Sequence, residues 1–326
     1  MPDRLLVKRR WTDSSLVIKP VLDGDHTGEQ YSTNGRTYID ARMKQDLSSL
    51  HLASQNGHSE VVYLLLQHGA AINATQNNGF TSLRLAAYYN HVDVMIGLLY
   101  YGISINSKTR EGDSALHLAS QCGNIAAATT LLQYKADVNA TKNDGWTPLH
   151  CACQDGHIDV MQILLHNQAD VNAQSNTGWT PIHVGAKCGK PDAVNIDNLL
   201  QRHASLDGKD SRDWTPLHFS AKNDNFAVLN VLIQHRAEIN ARTVDADTPL
   251  HIAVQRSHAN IVDVLLQNHA DIDAKGAKGF TPLHVSDQHA SIDVTNTFLQ
   301  CQADVNAKIE INIHRYMLQH FMVVMK

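Results

Sequence analysis

The chain has 326 residues, a formal net charge of −5 and 43% hydrophobic residues, which is an ordinary composition for a folded protein. The acidic balance gives no basic field for nucleic acid, and no apolar run reaches the roughly 18 residues that span a bilayer. The apolar stretch Leu5–Val7 is too short for a signal peptide, and the five cysteines form no CxxC pair. We therefore expect a reducing compartment, the cytoplasm or the nucleus, with no membrane insertion and no nucleic-acid partner.

Residues 1–38 do not share the pattern of the rest of the chain. Glycines and a proline stand among polar residues, so we expect an irregular N-terminal segment. The stretch from Asp23 to Gly28 begins like a calcium loop. Asn34, however, stands where that loop needs a bidentate carboxylate, which favours a solvated loop.

From residue 39 onward a tetrad, Thr-Pro-Leu-His, returns at intervals of 33 residues. One interval is 35 residues, and we place the two extra residues near Lys190–Asp192, at the turn between two helices or at the start of the second helix. Self-similarity at this period indicates a repeat architecture of eight units. The tetrad begins at Thr147, Thr215, Thr248 and Thr281, nearly whole at Thr180, and in degenerate form at Ser48, Thr81 and Ser114.

The fourth unit shows why each repeat is expected to form two helices and a loop. Thr147 caps a helix N-terminus through its side chain, and Pro148 suits the first helical position, where a missing N–H costs nothing. Gly156 ends this short helix, and a second amphipathic helix follows from Ile158 to about Asn167. An extended hairpin loop completes the unit. Neither helix is stable alone, so we expect neighbouring units to bury each other's apolar stripes.

These motifs resemble ankyrin repeats. The tetrad, the Gly-His pair at Gly156, the Leu-Leu pair and the sequence Ala-Asp-Val-Asn-Ala at Ala136–Ala140 and Ala169–Ala173 carry the resemblance. It implies an all-α ankyrin-repeat solenoid, with a helix-turn-helix and a β-hairpin loop in each 33-residue repeat, over residues 39–313. It also implies a monomeric, non-catalytic protein–protein interaction module or scaffold, which binds a protein partner on its concave face and needs no cofactor.

The chain departs from the family pattern at the glycine before Ala-Asp-Val-Asn. Gly69 and Gly102 are kept, and the glycine is replaced at six later positions. If the backbone keeps a positive φ there, each replacement costs on the order of 1 kcal/mol. We therefore expect the C-terminal repeats to fray first. The replacements are Lys135, Gln168, His203, Arg236, His269 and Gln302.

Residues 314–326 do not continue the tetrad, and they are expected to form a capping helix or a truncated ninth repeat. Their apolar end, Phe321–Met325, is unusual for a cap. It motivates an alternative hypothesis, in which the chain is a regulatory ankyrin region of a larger enzyme, ubiquitin-ligase subunit or channel.

The histidines and cysteines are interpreted as structural. The chain has 20 histidines, but most recur once per repeat in the tetrad or the Gly-His pair, and no local cluster supplies four zinc ligands. Cys151 and Cys153 are expected to be small buried side chains. We find no catalytic motif and predict no enzyme activity.

The residue just before the tetrad is the most informative candidate for partner binding. It is aromatic in five repeats, and tryptophan is enriched in interface hot spots. The alternative is that each ring packs on its neighbouring loop for stability alone. In the ankyrin fold this position borders the concave face. The candidate residues are Phe80, Trp146, Trp179, Trp214 and Phe280, with Asn143, Asp144, Gln154, Asp155, Lys187, Arg212 and Lys222 on the same face and Tyr88 and Tyr89 as a second aromatic patch.

The resemblance also implies a modification. Ankyrin repeats are substrates of an asparaginyl hydroxylase that favours Leu eight residues before an Asn in an acidic–aliphatic–Asn context. Asn139, Asn172 and Asn240 fit this context. The alternative is that each Asn only caps a turn through its side chain.

Overall fold

The computed structural model describes residues 39–189, 193–288 and 292–309. Within these ranges the chain forms sixteen α-helices in eight pairs, two short 3-10 helices and no strand. The all-helical repeat fold expected from the sequence is therefore confirmed. The irregular N-terminal segment, the insertion at Lys190–Asp192 and the expected cap at residues 314–326 lie outside the described residues.

Each pair consists of a seven- or eight-residue first helix and a nine-residue second helix. The first helices are α1 (Ser49–Gln55), α3 (Ser82–Tyr88), α5 (Ala115–Cys122), α7 (Pro148–Asp155), α9 (Pro181–Cys188), α11 (Pro216–Lys222), α13 (Pro249–Gln255) and α15 (Pro282–Gln288). The second helices are α2 (Ser59–Gln67), α4 (Val92–Tyr100), α6 (Ile125–Gln133), α8 (Ile158–His166), α10 (Ala193–Gln201), α12 (Phe226–Gln234), α14 (Ala259–Gln267) and α16 (Ile292–Gln300).

The chain divides into two compact units, the first ending at Lys142 and the second beginning at Asn143. The first unit contains α1–α6 and the second contains α7–α16. Within each unit every first helix packs on its own second helix and on the first helix of the next pair. The core of each unit is therefore a seam between helix layers, as the repeat pattern predicts.

The apolar pair of each second helix, Leu-Leu in six of the eight described, supplies this seam. In the fourth repeat Leu164 is 0% exposed and Leu165 is 7% exposed. Burial of an apolar side chain of this size stabilises a fold by about 1.5–3 kcal/mol, so one such residue per repeat dominates the packing. The equivalents of Leu164 are also buried, and they are Leu65, Leu98, Leu131, Leu199, Leu232, Leu265 and Phe298.

The tetrad begins six of the described first helices with a reciprocal cap. The backbone N–H of Thr147 donates to Nδ1 of His150 at 3.1 Å, and the Thr147 hydroxyl lies 2.8 Å from the same nitrogen. The histidine thus takes the place that Glu or Gln has in a common capping box. The expected role of Thr and Ser as N-caps is confirmed, and the tetrad histidine proves to be part of the same cap.

The second repeat has Arg84 where the other tetrads have histidine. Arg84 is 1% exposed, and its guanidinium donates to the carbonyl oxygens of Asp113 at 3.1 Å and Gly79 at 2.7 Å. Burial lowers the pKa of Arg84 to about 10, which leaves it charged at neutral pH. The hydroxyl of Thr81 has no hydrogen-bond partner within the described residues, because no imidazole reaches it.

The loops between repeats are short turns rather than strand pairs. The N–H of Ser175 donates to the carbonyl of Trp179 at 2.8 Å, and the next donor, Asn176 N–H, bonds to Asp144 of the preceding repeat at 2.9 Å. A second bond within this loop, from the N–H of Gly178 to the carbonyl of Ser175 at 2.9 Å, closes a turn, and the Asn176 bond joins the neighbouring loop. This is why the extended loop does not form a β-ladder in the described ranges.

The positions where glycine is replaced keep the left-handed backbone, as expected. Arg236 has φ 67° and His269 has φ 66°, against 85° at Gly69. The helix stops that lost glycine behave in the same way, with φ 56° at Asp224 and 57° at Ser257. Each of these side chains is held in a conformation that favours glycine. None of the helices in the described ranges has the length and apolar character needed to cross a membrane.

Candidate functional site

At five positions the residue just before the tetrad accepts, through its backbone carbonyl, a hydrogen bond from the tetrad histidine of the preceding repeat. In the second unit Nε2 of His183 lies 3.1 Å from the carbonyl oxygen of Trp214. This bond persists across the two-residue insertion, so the insertion does not change the loop register. The same bond joins His51 to Phe80, His150 to Trp179, His218 to Asp247 and His251 to Phe280. The tetrad histidine therefore bridges adjacent repeats and fixes where the loop side chain emerges.

These bridging histidines are neutral at neutral pH. Nδ1 of His183 accepts the N–H of Thr180 at 3.2 Å, so the ring proton lies on Nε2 and is donated to the carbonyl. Burial lowers the pKa of His183, and it lowers the pKa of His218 to about 4. A buried imidazole whose pKa is lowered stays uncharged near neutral pH, which suits a structural role rather than acid–base chemistry.

Trp179 and Trp214 share a buried aromatic partner. The ring of Phe219 is 4.7 Å from the ring of Trp179 in an edge-to-face arrangement and 5.1 Å from that of Trp214. Phe219 is 2% exposed, whereas both tryptophans are only half-buried. Edge-to-face aromatic pairs add about 0.5–1.5 kcal/mol beyond area burial. The two indoles are therefore held rigidly, while part of each ring remains at the surface.

Asp210 orders the loop between these tryptophans. Its carboxylate accepts the indole N–H of Trp179 at 3.1 Å and the backbone N–H groups of Arg212 at 2.8 Å and Trp214 at 2.9 Å. Asp210 is 5% exposed. Because this buried carboxylate accepts hydrogen bonds from all three N–H groups, it couples the orientation of Trp179 to the backbone that carries Trp214.

Three cations lie on the exposed faces of the two indoles. Nζ of Lys187 is 4.8 Å from the ring centroid of Trp179. Nζ of Lys222 and Cζ of Arg212 are 5.0 Å and 5.3 Å from the centroid of Trp214. All three distances are within the range of a cation–π interaction. These five residues, three cations and two tryptophans, are named the cation–tryptophan surface.

The remaining candidates of the second unit lie on loops or helix ends. Trp146 is half-buried, and its ring is 5.6 Å from the ring of His150 in its own repeat. The carbonyl oxygen of Asn143 accepts a side-chain bond from the next loop at 2.8 Å, and the carboxylate of Asp144 accepts the N–H of Trp146 at 3.0 Å. Gln154, exposed, and Asp155, half-buried, are the last residues of α7. Phe280 is half-buried beside His284.

The first unit carries a separate aromatic patch. The rings of Tyr88 and Tyr89 meet edge to face at 4.9 Å, and these residues are 42% and 38% exposed. The Tyr89 hydroxyl accepts a bond from the Gln55 side chain at 3.4 Å. Phe80 is half-buried, and its carbonyl is the acceptor of His51. These three aromatic residues lie in a loop or at the end of a helix, as the repeat pattern predicted.

The loop asparagines bridge repeats instead of capping their own turns. The Asn172 side chain accepts the N–H of Ser205 at 2.7 Å and donates to the carbonyl of His203 at 3.1 Å. Asn240 accepts the N–H of Asp271 at 2.8 Å. Asn139 occupies the equivalent position and is exposed. Hydroxylation of these three asparagines stays a prediction.

The buried cysteines have the environment of core residues. Cys151 and Cys153 are 3% and 0% exposed. Burial raises the pKa of the Cys153 thiol, which keeps it protonated and poorly nucleophilic. Over the described ranges, no three His, Cys, Asp or Glu side chains converge to form a metal-binding group.

Sequence reasoning missed two residues that build the surface, Phe219 and Asp210. Phe219 follows a tetrad histidine, at the position where Cys151 and Val184 stand in the preceding repeats. A large aromatic residue at a position otherwise occupied by smaller ones was a signal that the sequence did offer. Asp210 belongs to a variable loop position and carries no sequence signal. The structure does bring Lys187, Arg212 and Lys222 onto the two tryptophans.

A family model for ankyrin repeats (3 copies) matches residues 29–109, 98–175, 168–243 and 240–309. A search of curated proteins finds no matching sequence. Among solved structures, the crystal structure of the human ASB11 ankyrin repeat domain is similar. It has a TM-score of 0.61 and 27% sequence identity, and the match covers 69% of this chain and 99% of that one. With the family model covering most of its length, the chain belongs to the ankyrin-repeat family.

Proposed function

We propose that this chain is a non-catalytic interaction module, a scaffold that binds a protein partner through the loops and first-helix ends on the concave face of its ankyrin repeats. The cation–tryptophan surface is the observation that carries the proposal. Trp179 and Trp214 are held by Phe219 and Asp210, and they keep accessible ring area under three cations. A preorganised aromatic and cationic surface is typical of interface hot spots, because little side-chain entropy is lost on binding.

Within the second unit the other candidates are proposed to extend the same binding face, and the tyrosines of the first unit are proposed as a separate contact patch. Within the second unit, Gln154 and Lys222 end equivalent first helices, and Trp146 precedes α7 as Trp214 precedes α11. Within the first unit, Tyr88 and Tyr89 end α3 and the adjoining turn. Within one unit, aromatic side chains at equivalent repeat positions, such as Trp146 and Trp214, are suited to contact one extended partner.

Site-specific photocrosslinking tests where a partner binds. A benzophenone amino acid is placed at Lys222 on the proposed face, and in a second variant at Asn268, which is exposed at the end of α14. Both variants are exposed to peptides selected by phage display on the purified wild-type chain. We expect crosslinks at position 222 and few at 268. Equal labelling, labelling only at 268, or a selection that yields no peptides would refute the proposed face.

Three further points are proposed with it: a cytoplasmic location, a monomeric state, and the alternative in which the repeats regulate a larger protein. Light scattering of the purified chain measures its molar mass in solution and so tests the monomeric state. A mass of two or more chains would contradict a monomer. Transcript sequence that continues the reading frame past Lys326 into a catalytic or channel domain would favour the regulatory alternative.

A further inference from the structure

We infer that the cation–tryptophan surface, extended by Arg256, binds an extended acidic segment of a protein whose carboxylates recur at about every third residue. The inference rests on the proposed function, since it names the chemistry of the partner that the same face would take. It goes further in two respects: the sign of the partner's charge and the spacing of that charge.

The first argument is that these cations are unneutralised. Within the described ranges the ion pairs of the second unit involve Lys209, His235 and His258. None of the pairs includes Lys187, Arg212, Lys222 or Arg256. The carboxylate in their midst, Asp210, is already occupied by one indole and two backbone donors. Among the described residues, therefore, no carboxylate lies within 4.0 Å of any of these four cations to balance its charge.

The second argument is mutual repulsion among the four cations. Burial lowers the pKa of Lys222, and the positive charges of Arg256, Arg212 and Lys187 lower it further. Like charges held together are unfavourable, and an anion placed among them removes that repulsion. A carboxylate bound here would therefore gain from several cations at once, which a single surface ion pair does not offer.

The third argument concerns spacing. Lys187, Lys222 and Arg256 stand at the C-terminal ends of α9, α11 and α13, and these helices pack in succession. Packed helices lie about 8–10 Å apart. An extended polyproline-like chain rises about 3.1 Å per residue with three residues per turn, so every third side chain shares a face and recurs at about 9 Å. Acidic residues at i, i+3 and i+6 would thus meet successive repeats.

Nucleic acid fits this surface less well. A duplex-binding protein commonly makes about 6–10 phosphate contacts, and the surface offers four cations. The whole chain carries a net charge of −5, which repels a polyanion at long range. A short acidic peptide avoids most of this repulsion, because it carries few charges and places them on the cations themselves.

Fluorescence anisotropy on the full chain tests the inference. The probe is a labelled proline-rich peptide with Glu at every third position, and the controls are the same peptide with Gln and one with Glu at every second position. We expect salt-sensitive binding of the first probe, about tenfold weaker binding of the Gln peptide, and an intermediate affinity for the second spacing. Equal binding of the Glu and Gln peptides overturns the inference. Labelled oligothymidine that binds more tightly than the Glu peptide also overturns it.

A pair of double variants with equal charge change locates the site. Lys187→Gln with Lys222→Gln should weaken probe binding about fivefold or more, whereas Arg202→Gln with Lys308→Gln, exposed cations elsewhere in the second unit, should change it less than about twofold. Circular dichroism of both variants verifies that they fold. An equal effect of the two pairs overturns the assignment. If peptides crosslink at position 222 but carry no acidic pattern, the proposed function stands and this inference fails.

Discussion

The indole N–H of Trp179 donates to the carboxylate of Asp210, 3.1 Å away in the next repeat, and the same carboxylate accepts two backbone N–H groups of its own loop. One buried side chain thus fixes a surface aromatic residue and the loop that carries another. The cation–tryptophan surface is held by polar contacts between repeats as well as by the leucine seam.

Replacement of Asp210 by Ala should lower the free energy of unfolding by about 2–3 kcal/mol, because three donors lose a buried charged acceptor. Urea unfolding followed by circular dichroism measures this. Asp213→Asn is the control, because Asn tolerates the left-handed backbone of this position (φ 59°). The carboxylate that it removes is 48% exposed and 4.0 Å from Lys209, so we expect a change below about 0.5 kcal/mol. Similar losses in the two variants would contradict the role of Asp210.

Acid should destabilise the fold through the bridging histidines. Burial lowers the pKa of His218 to about 4 in the folded chain, and the unfolded value is 6.5. The unfolded chain therefore binds more protons between these values, so stability is complete above pH 6.5 and falls as the pH drops towards 4. For His218 alone the loss at pH 5 is roughly 2 kcal/mol. Burial also lowers the pKa of His51, His150, His183 and His251.

Urea unfolding at pH 7 and pH 5 measures this effect, and His218→Gln is the informative variant. It should be less stable than the wild type at pH 7, yet lose less stability between the two pH values. An unchanged dependence on pH in His218→Gln would show that this histidine does not contribute to acid sensitivity.

The second repeat should gain stability from Arg84→His. An imidazole there can reach the unpartnered Thr81 hydroxyl and the carbonyl of Asp113, as His51 reaches Ser48 and Phe80 in the first repeat. It also removes a buried charge. We expect an increase of about 1–2 kcal/mol in the free energy of unfolding. The control Arg84→Lys keeps the charge and should destabilise, and a loss of stability in both variants would contradict this account.

Glycine should stabilise the left-handed loop positions. Arg236 has φ 67° and is exposed, so Arg236→Gly relieves strain with little loss of contact. We expect a gain of up to about 1 kcal/mol, reduced by the extra freedom of glycine in the unfolded chain. Gln234→Gly, two residues earlier at the end of α12, should instead cost about 1 kcal/mol. Thermal unfolding compares the two, and a gain in neither or in both would be inconsistent with the backbone explanation.

Hydrogen exchange should show the C-terminal repeats opening first. Helices α7 and α9 end at Gly156 and Gly189, whereas α11 and α13 are followed by Asp224 and Ser257 in the same left-handed conformation. Each substitution stores a little strain, and fewer neighbouring repeats oppose it near the end of a stack. We expect amides of α13–α16 to exchange faster than those of α7–α9. The best protection in α13–α16 would contradict the prediction.

Much of the fold followed from the sequence because the repeat imposes it eight times. The caps at Thr147 and its equivalents, the helix stops and the positive φ at Arg236 were predictable, since each depends on residues close together in the chain. The tetrad histidine was only half predicted. Its hydrogen-bonding role was inferred, but its acceptor lies about one repeat away, at a carbonyl that any residue type supplies.

The cation–tryptophan surface could be predicted only in part. The periodicity identified Trp179 and Trp214 as equivalent positions, and it placed Lys187 and Lys222 at equivalent helix ends. It did not show that Phe219 fills the space between the indoles, because that contact depends on the rotation of one helix against the next. Contacts of this kind are settled by packing rather than by sequence spacing.

The hydrogen bonds by which Asn and Asp side chains join adjacent loops have a mechanical consequence. In the second unit Asn172 holds Ser205, Asn240 holds Asp271, and Asp273 holds Asp304, each through a side-chain oxygen and a backbone N–H about one repeat away. These bonds run along the loop edge and do not pass through the helices. A force on one loop can therefore reach the next loop through these bonds. Tension from a bound partner would therefore be distributed over several loops along that edge.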